Sequence, residues 1–385
     1  RRRHTRLQGD WSSDVCSSDL KRKINMTNIK KLGLSALAGS LVAVSAQAGE
    51  MSVTGSANVT YVTGKNAPAG KSIGTDKDVA FTGTGELDNG WTFTVSTLLT
   101  DAYSVSSSYT SMTMGSLGTV SFGQDTGGAN YKYDEEVPQA YEQMSDAQNN
   151  SANRIGNFGD TNMIVYNSPS FDLGGVTASF DLEYSPNVSA TGTGEAIGDG
   201  GSATANEDFG SSSAAGVTLS YDALKFGIYG AQIDRTTPGT EATDAFEGAW
   251  YVNYSFGPVA IGYTESYMDS GTNTTAESAT AAKDVGSNTR TANGFFEGEQ
   301  MSIAFNVNEN FSVSYTESEE TYDPQSHAGA AAAIADVTQK VDGIQAAYSM
   351  GAMSIKAYKI DVSNPAFDED AADKSATEIA LGLAF

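Results

Sequence analysis

Residues 49–385 alternate apolar and polar side chains with a period of two, in short segments whose connections run long, short, long, short. Period two marks a strand with two unlike faces. In 176–184 one set is Val176, Ala178, Phe180, Leu182 and Tyr184, and the other is Thr177, Ser179, Asp181 and Glu183. Trp250, Val252, Tyr254 and Phe256 alternate with Tyr251, Asn253 and Ser255, and Phe311, Val313 and Tyr315 with Ser312, Ser314 and Thr316. Sixteen strands are predicted: 51–64, 77–87, 91–102, 106–115, 118–124, 161–168, 174–185, 213–223, 225–235, 246–257, 259–269, 296–306, 311–322, 339–349, 353–363 and 376–385. Most approach the ~10 residues that a tilted strand needs to cross a bilayer.

A soluble sandwich also alternates, but its apolar face packs a second sheet. Here the polar set is mostly Ser, Thr, Asn and Gly with scattered charges, as a water-filled interior requires. Aromatics at or near the ends of the apolar strips (Tyr61, Trp91, Tyr184, Tyr221, Trp250, Phe256, Tyr263, Phe311, Tyr348 and Phe385) suit interfacial girdles. Short turns fall at 87–90, 115–118, 168–174, 222–224, 256–258, 308–310 and 350–353, and Asn89-Gly90 is a strong hairpin signal. Mostly longer segments lie between them, at 65–76, 102–106, 124–160, 185–212, 235–246, 270–295, 322–338 and 363–376. Seven short turns and eight such loops are what sixteen antiparallel strands give when both termini face one side. The fold class is therefore all-β, a 16-stranded antiparallel transmembrane β-barrel, the one strand architecture that satisfies every backbone group in lipid.

The ends divide the chain into three parts. Residues 1–25 are basic, contain Trp11 and the only cysteine, Cys16, and show no periodicity; they read as a cloning scar or other non-native extension. Residues 26–48 read as a secretory signal peptide, with Lys30 and Lys31, an apolar stretch at 32–44 and the small-residue site Ala46-Gln47-Ala48. Cleavage after Ala48 leaves the barrel domain, 49–385, without a cysteine and hence without a disulfide framework. That domain has 13 Lys/Arg against 44 Asp/Glu, a formal net charge of −31. Such a surface repels nucleic acid and favours cations and basic solutes.

The turn 87–91 (Leu-Asp-Asn-Gly-Trp), the turn 115–120 (Gly-Ser-Leu-Gly-Thr-Val) leading to Phe122-Gly123, the run 165–171 (Val-Tyr-Asn-Ser-Pro-Ser-Phe) and the terminal Phe385 strand together resemble a Gram-negative general-diffusion porin of alphaproteobacterial type. The resemblance covers all of 49–385. It implies a homotrimer in the cell outer membrane, contact with outer-membrane lipid and lipopolysaccharide, and passive passage of small hydrophilic solutes and ions. It also implies that the loop after the fifth strand, 124–160 here, folds inward as a constriction. Two features depart from the enterobacterial members. The Pro-Glu-Phe-Gly motif of that loop is absent, and the barrel domain has only Arg154, Arg235 and Arg290, all in or beside loops.

Candidate pore-constriction residues are Asp134, Glu135, Glu136, Glu142, Asp146 and Arg154, because fixed carboxylates around a narrow aqueous passage set ion selectivity. Asp181, Glu183 and Lys356 are expected to face the lumen. Asp368, Glu369 and Asp370, and the run 134–136, are dense in the oxygen ligands that suit calcium, or a divalent bridge to lipopolysaccharide phosphates, though neither forms a helix-flanked calcium loop. No cofactor is otherwise implied. His327 is the one histidine after residue 48; it lies in a loop with no paired nucleophile, so no catalytic residues are assigned. A sugar-specific channel would want eighteen strands and a lumenal aromatic track longer than Tyr229 and Tyr251. A structural or adhesive barrel would want an added domain.

Overall fold

The computed structural model describes residues 49–65, 71–100, 104–124, 128–133, 136–149, 155, 163–186, 209–235, 244–269, 271, 294–323 and 336–385. A boundary between Gly49 and Glu50 separates the barrel unit from the preceding residues. The predicted signal peptide and extension, residues 1–48, lie outside the described residues.

The barrel strands are β1 (Met51–Lys65), β2 (Lys71–Glu86), β3 (Thr92–Leu99), β4 (Val105–Thr113), β5 (Thr119–Gln124), β6 (Met163–Asn167, resumed at Phe171–Asp172), β7 (Thr177–Ser185), β8 (Phe209–Tyr221), β9 (Leu224–Arg235), β10 (Ala245–Phe256), β11 (Val259–Asp269), β12 (Phe295–Asn308), β13 (Phe311–Asp323), β14 (Val337–Met350), β15 (Met353–Ser363) and β16 (Lys374–Ala384). Each pairs antiparallel with its sequence neighbours, and β1 pairs with both β2 and β16, so the 16-stranded sheet closes without an edge. The terminal aromatic completes the closure. The Phe385 and Gly55 backbones exchange N–H···O bonds of 3.0 Å in both directions. Closure removes the unpaired edge that lipid cannot solvate.

Several boundaries differ from the sequence pattern by a few residues, and two of the differences have a clear cause. β2 begins at Lys71, six residues before the alternation becomes visible, because β1 supplies partners from Thr63↔Lys71 through Asn58↔Asp76. The charged run Asp76-Lys77-Asp78 hides the pattern, and pairing overrides it. The segment 168–174 is not simply a turn: the strand resumes at Phe171, and the turn closes where the Leu173 N–H donates to the Val176 carbonyl at 2.8 Å. Pro169 has no N–H to give the ladder. Ser168 spans the break, donating its N–H to the Phe180 carbonyl at 2.9 Å while its Oγ accepts the Phe180 N–H at 2.8 Å.

The short turns follow their local chemistry. Gly90 takes φ +80°, its N–H donates to the Leu87 carbonyl at 2.8 Å, and Asn89 Oδ1 accepts the Trp91 N–H at 3.0 Å. Only glycine reaches that φ without strain.

The two faces of the strands are inverted relative to a soluble protein. On β12, Met301, Ile303 and Phe305 point outward, whereas Gln300 and Ser302 are buried toward the barrel axis; Ile303 is 49% exposed and Ser302 3%. Val217, Ile228, Tyr254, Ile261, Ile344, Leu381 and Leu383 repeat this outward pattern on their strands. An apolar outside around a hydroxyl- and amide-lined inside requires a lipid exterior. On β10 the outward aromatics Phe246 and Phe256 are ten residues apart. At ~3.4 Å per residue and a tilt of about 40°, that separation is about 26 Å along the barrel axis. Toward the Phe246 end of this stretch outward carboxylates begin, with Glu265 opposite Trp250. Glu265, Glu299, Glu319 and Lys340 are successive register partners across β11–β14. Glu265 accepts from Trp250 Nε1 at 3.0 Å and from the Tyr263 hydroxyl at 2.7 Å.

Candidate functional site in the lumen

The loop after β5 does not cap the barrel. Its described residues, 128–133 and 136–149 with 155, lie in the lumen, and their contacts run along the inner wall from β7 to β16. Its first element is a five-residue helix, α1 (Ala129–Tyr133), held at its start by Glu183, whose Oε2 accepts the Ala129 N–H at 2.9 Å. Asp181 is the principal anchor. Its Oδ2 accepts from Lys132 Nζ at 2.6 Å and from the Tyr133 hydroxyl at 2.9 Å, while Oδ1 accepts from Asn167 Nδ2 at 2.7 Å. Asp181 and Glu183 both face inward, as the alternation of β7 predicts, and both are buried beneath the loop.

The Tyr133 ring continues the attachment. It stacks on Tyr229 with centroids 5.5 Å apart and lies 6.0 Å from Tyr251. Gly216 on β8 makes room for it, since a β-carbon there would overlap the Tyr133 ring. Burial pushes the Tyr133 hydroxyl well above the ordinary tyrosine range, and the Asp181 carboxylate adds to the rise against an opposing hydrogen bond with Thr218. Tyr229 and Tyr251 are lumenal, but they are buried under the loop. They hold it instead of forming an open aromatic track.

The next stretch crosses six strands, β9 to β14, before it reaches β16. Glu136 Oε2 pairs with Lys225 Nζ on β9 at 2.9 Å, and its carbonyl accepts from Asn253 Nδ2 at 2.5 Å. The Pro138 carbonyl accepts from Ser302 Oγ on β12, and Gly262 on β11 leaves space for the Pro138 ring. Ser314 Oγ accepts the Ala140 N–H at 3.0 Å. Gln345 on β14 grips both ways: its Oε1 accepts the Tyr141 N–H at 2.9 Å and its Nε2 donates to the Glu142 carbonyl at 2.6 Å. Tyr141 then reaches β16, donating its hydroxyl to Glu378 Oε1 at 2.8 Å, with Lys356 Nζ 5.1 Å from its ring centroid. Burial, the bond to Glu378 and the charge of Glu142 raise the Tyr141 hydroxyl far above its usual range.

Of the predicted constriction residues, Glu136 and Glu142 are thus in the lumen. Asp134, Glu135 and Arg154 lie outside the described residues. Asp146 sits in the 3-10 turn Met144–Asn149, and its side chain is outside them as well. Arg290 and His327 also lie outside, as does the Arg235 side chain. Lys356 faces inward as expected. Its companion Lys225 was not anticipated; it points inward because it shares a strand face with Tyr229, two turns of the pleat away. The wall partners Asn253, Ser302, Ser314, Gln345 and Glu378 were likewise not singled out. Their only local signal is membership of the inward set.

Asp368, Glu369 and Asp370 do not converge. Asp368 Oδ1 accepts the Asp370 N–H at 3.0 Å, a local turn bond. Among the described residues no group of three or more His, Cys, Asp or Glu side chains is placed to hold a metal ion.

Residues 33–385 match the family of Gram-negative porins. No curated protein sequence matches the chain. The fold is similar to that of an anion-selective porin from Comamonas acidovorans, with 14% identity and a TM-score of 0.58 over 87% of this chain and 99% of that one. OmpT of Vibrio cholerae in a loop L8 deletion form gives 12% identity and 0.59 over 88% and 100%. Salmonella typhi OmpF in complex with daunomycin gives 10% identity and 0.60 over 88% and 99%. At such identities these structures speak for the architecture alone. The family match, spanning the whole barrel, carries the assignment: the chain belongs to the Gram-negative porins, integral channel proteins of the outer membrane.

Proposed function

We propose that this porin is a general-diffusion channel that passes small hydrophilic solutes and ions passively and prefers cations. The observation that carries the preference is the charge of the inward faces. Among the described strand side chains, Asp76, Asp78, Asp181, Glu183, Glu247, Glu320 and Glu378 share the inward faces with Lys225, Lys356 and Lys374. Lys225 is paired with the loop's Glu136, and Lys356 lies against the ring of Tyr141. A low-dielectric wall focuses the field of the remaining carboxylates into the aqueous passage.

The constriction role belongs to the inward loop, with Asp134, Glu135, Glu136, Glu142, Asp146 and Arg154 as its charged members. A homotrimeric assembly, contact with lipopolysaccharide and an alphaproteobacterial affinity are part of the same reading and rest on the turn motifs and the terminal aromatic; export through the residue 26–48 signal rests on Lys30, Lys31, the apolar stretch 32–44 and Ala46-Gln47-Ala48. A structural envelope anchor is the second reading, favoured by the many bonds that tie the loop to the lumenal wall.

Single-channel recording in a planar bilayer under a KCl gradient tests the proposal. Open steps grouped in threes with a reversal potential favouring potassium are expected. Changing Asp134, Glu135, Glu136 and Glu142 together to Asn or Gln is expected to lower that preference. An unaltered preference overturns the loop's role in selectivity, and a complete lack of conductance overturns the channel reading in favour of the anchor.

A further inference from the structure

The last long connection, 364–373, hooks into the mouth of the barrel. Asn364, Ala366 and Phe367 have φ of +48°, +60° and +57°, and none is glycine. Residues with a β-carbon rarely adopt this region, because the side chain crowds the following carbonyl. Three such residues within four are held only where surrounding contacts over-determine them.

Those contacts are specific. Asn364 Nδ2 donates to the Thr338 carbonyl at 2.9 Å, and the Ala366 N–H donates to Gln339 Oε1 at 2.6 Å, both partners being on β14. The Phe367 N–H closes the turn on the Asn364 carbonyl at 3.0 Å. The hook thereby delivers Phe367, 1% exposed, onto two inward rings at the loop end of β12 and β13. Phe296 and Tyr322 are direct register partners, stacked at 4.8 Å. Phe367 meets them at 5.5 Å edge-on and at 5.8 Å tilted.

This triad is not isolated. Phe296 is paired in register with Met268, and one continuous buried cluster runs from Phe367 through Phe296, Met268 and Tyr229 to Tyr133 and Ile155 of the constriction loop. The seat of the last loop and the seat of the constriction loop are parts of one packed body. Backbone strain favours leaving that body, and aromatic burial favours staying. Opposed influences of this kind are what a two-state element requires.

We propose that the 364–367 hook is a second gating element of the channel and that Phe367 is its latch, a positioning residue for the constriction loop. Docked, it narrows the mouth and braces the cluster beneath Tyr133. Released, the three residues relax to ordinary backbone angles, the mouth widens and the constriction loop loses that support. This rests on the diffusion-channel reading and adds to it a closed substate with a defined structural cause.

The test is single-channel recording of the reconstituted full barrel as wild type, Phe367→Ala, Phe367→Leu and Ala366→Gly. Barrel assembly is checked for each by heat-modifiable gel migration. Wild type is expected to visit a lower-conductance substate. Phe367→Ala removes the rings' partner and is expected to shorten that substate's dwell about tenfold, with Phe367→Leu intermediate. Ala366→Gly relieves the left-handed strain while keeping the latch, and is expected to lengthen the dwell about tenfold. Equal dwell times in all four proteins overturn the latch while leaving the channel intact. If Phe367→Ala fails to assemble, Ala366→Gly decides alone: an unchanged dwell overturns the proposal. A wild type without conductance overturns the channel reading and the latch with it.

Discussion

The Tyr133 hydroxyl donates to Asp181 Oδ2 across 2.9 Å, joining a loop residue to a wall residue 48 positions away. The same oxygen takes the Lys132 ammonium at 2.6 Å, so one wall carboxylate receives both ends of the loop's first grip. A charged acceptor shared by two loop donors helps an acidic loop settle against an acidic wall: this contact runs through a lysine and a tyrosine, and farther along the loop's Glu136 meets the wall's Lys225.

Replacing Asp181 by Ala is expected to weaken loop docking by about 1–3 kcal/mol. The change leaves Tyr133 and Asn167 without their acceptor. The Lys132 share is the smaller part, because that side chain is about one third exposed and solvent screens it. Limited trypsin digestion after Lys132 measures the effect, with faster cleavage expected in the variant; equal rates mean that the loop is held elsewhere.

Gly216→Ala tests the fit of the Tyr133 ring. The new β-carbon overlaps that ring, and overpacking of this kind costs about 1–3 kcal/mol. Displacement of α1, a larger open conductance and an assembled barrel are the expected outcome. Gly83, where a β-carbon meets no atom within 4 Å, is the control position, and Gly83→Ala is expected to behave as wild type.

Alkaline titration follows from the two loop tyrosines, Tyr133 buried and Tyr141 half-buried. Their hydroxyls ionise well above the ordinary value in the folded protein. A raised folded value means that the proton is held by the docked loop, so its stabilising effect is complete below the unfolded value of about 10 and declines as pH rises beyond it. Conductance is therefore expected to be flat from neutral pH to about pH 10 and to rise above it. Tyr141→Phe, which removes one of the two hydroxyls, is expected to reduce the alkaline rise, and a wild-type profile with no change above pH 10 contradicts the assignment.

The outer surface gives a test of membrane insertion. Ile303 faces outward in the apolar band of β12, and an arginine near the bilayer midplane costs about 2–4 kcal/mol. Ile303→Arg is expected to lower the folded yield in lipid vesicles, whereas Ser302→Thr, one residue along on the lumenal face, is expected to fold normally. Similar yields of wild type and Ile303→Arg contradict the lipid-facing placement of this strand.

The barrel was legible in the sequence to within a few residues for most strands, because alternation and turn chemistry are local. The eleventh and fifteenth strands, 259–269 and 353–363, coincide with the structure at both ends. The second does not, because Asp76-Lys77-Asp78 masks its start and pairing with β1 decides it. The inward direction of Asp181, Glu183 and Lys356 was also readable, since parity along a strand determines the face.

What each inward charge meets was not readable. Lys225 with Glu136, Gln345 with Tyr141, and Tyr141 with Glu378 join residues separated by 89, 204 and 237 positions. No local pattern encodes which of several inward side chains a loop will reach. The acidic run 368–370 shows the same limit from the other side: composition suggested a cation cluster, and the turn spends one of its carboxylates on its own backbone. By itself the sequence determined strand, face and closure, because these depend on a two-residue period and on turn residues. Only the tertiary structure decided where the constriction loop lies, which lysines oppose its carboxylates and how Phe367 enters the mouth, because those outcomes depend on contacts made across the lumen once the barrel has closed.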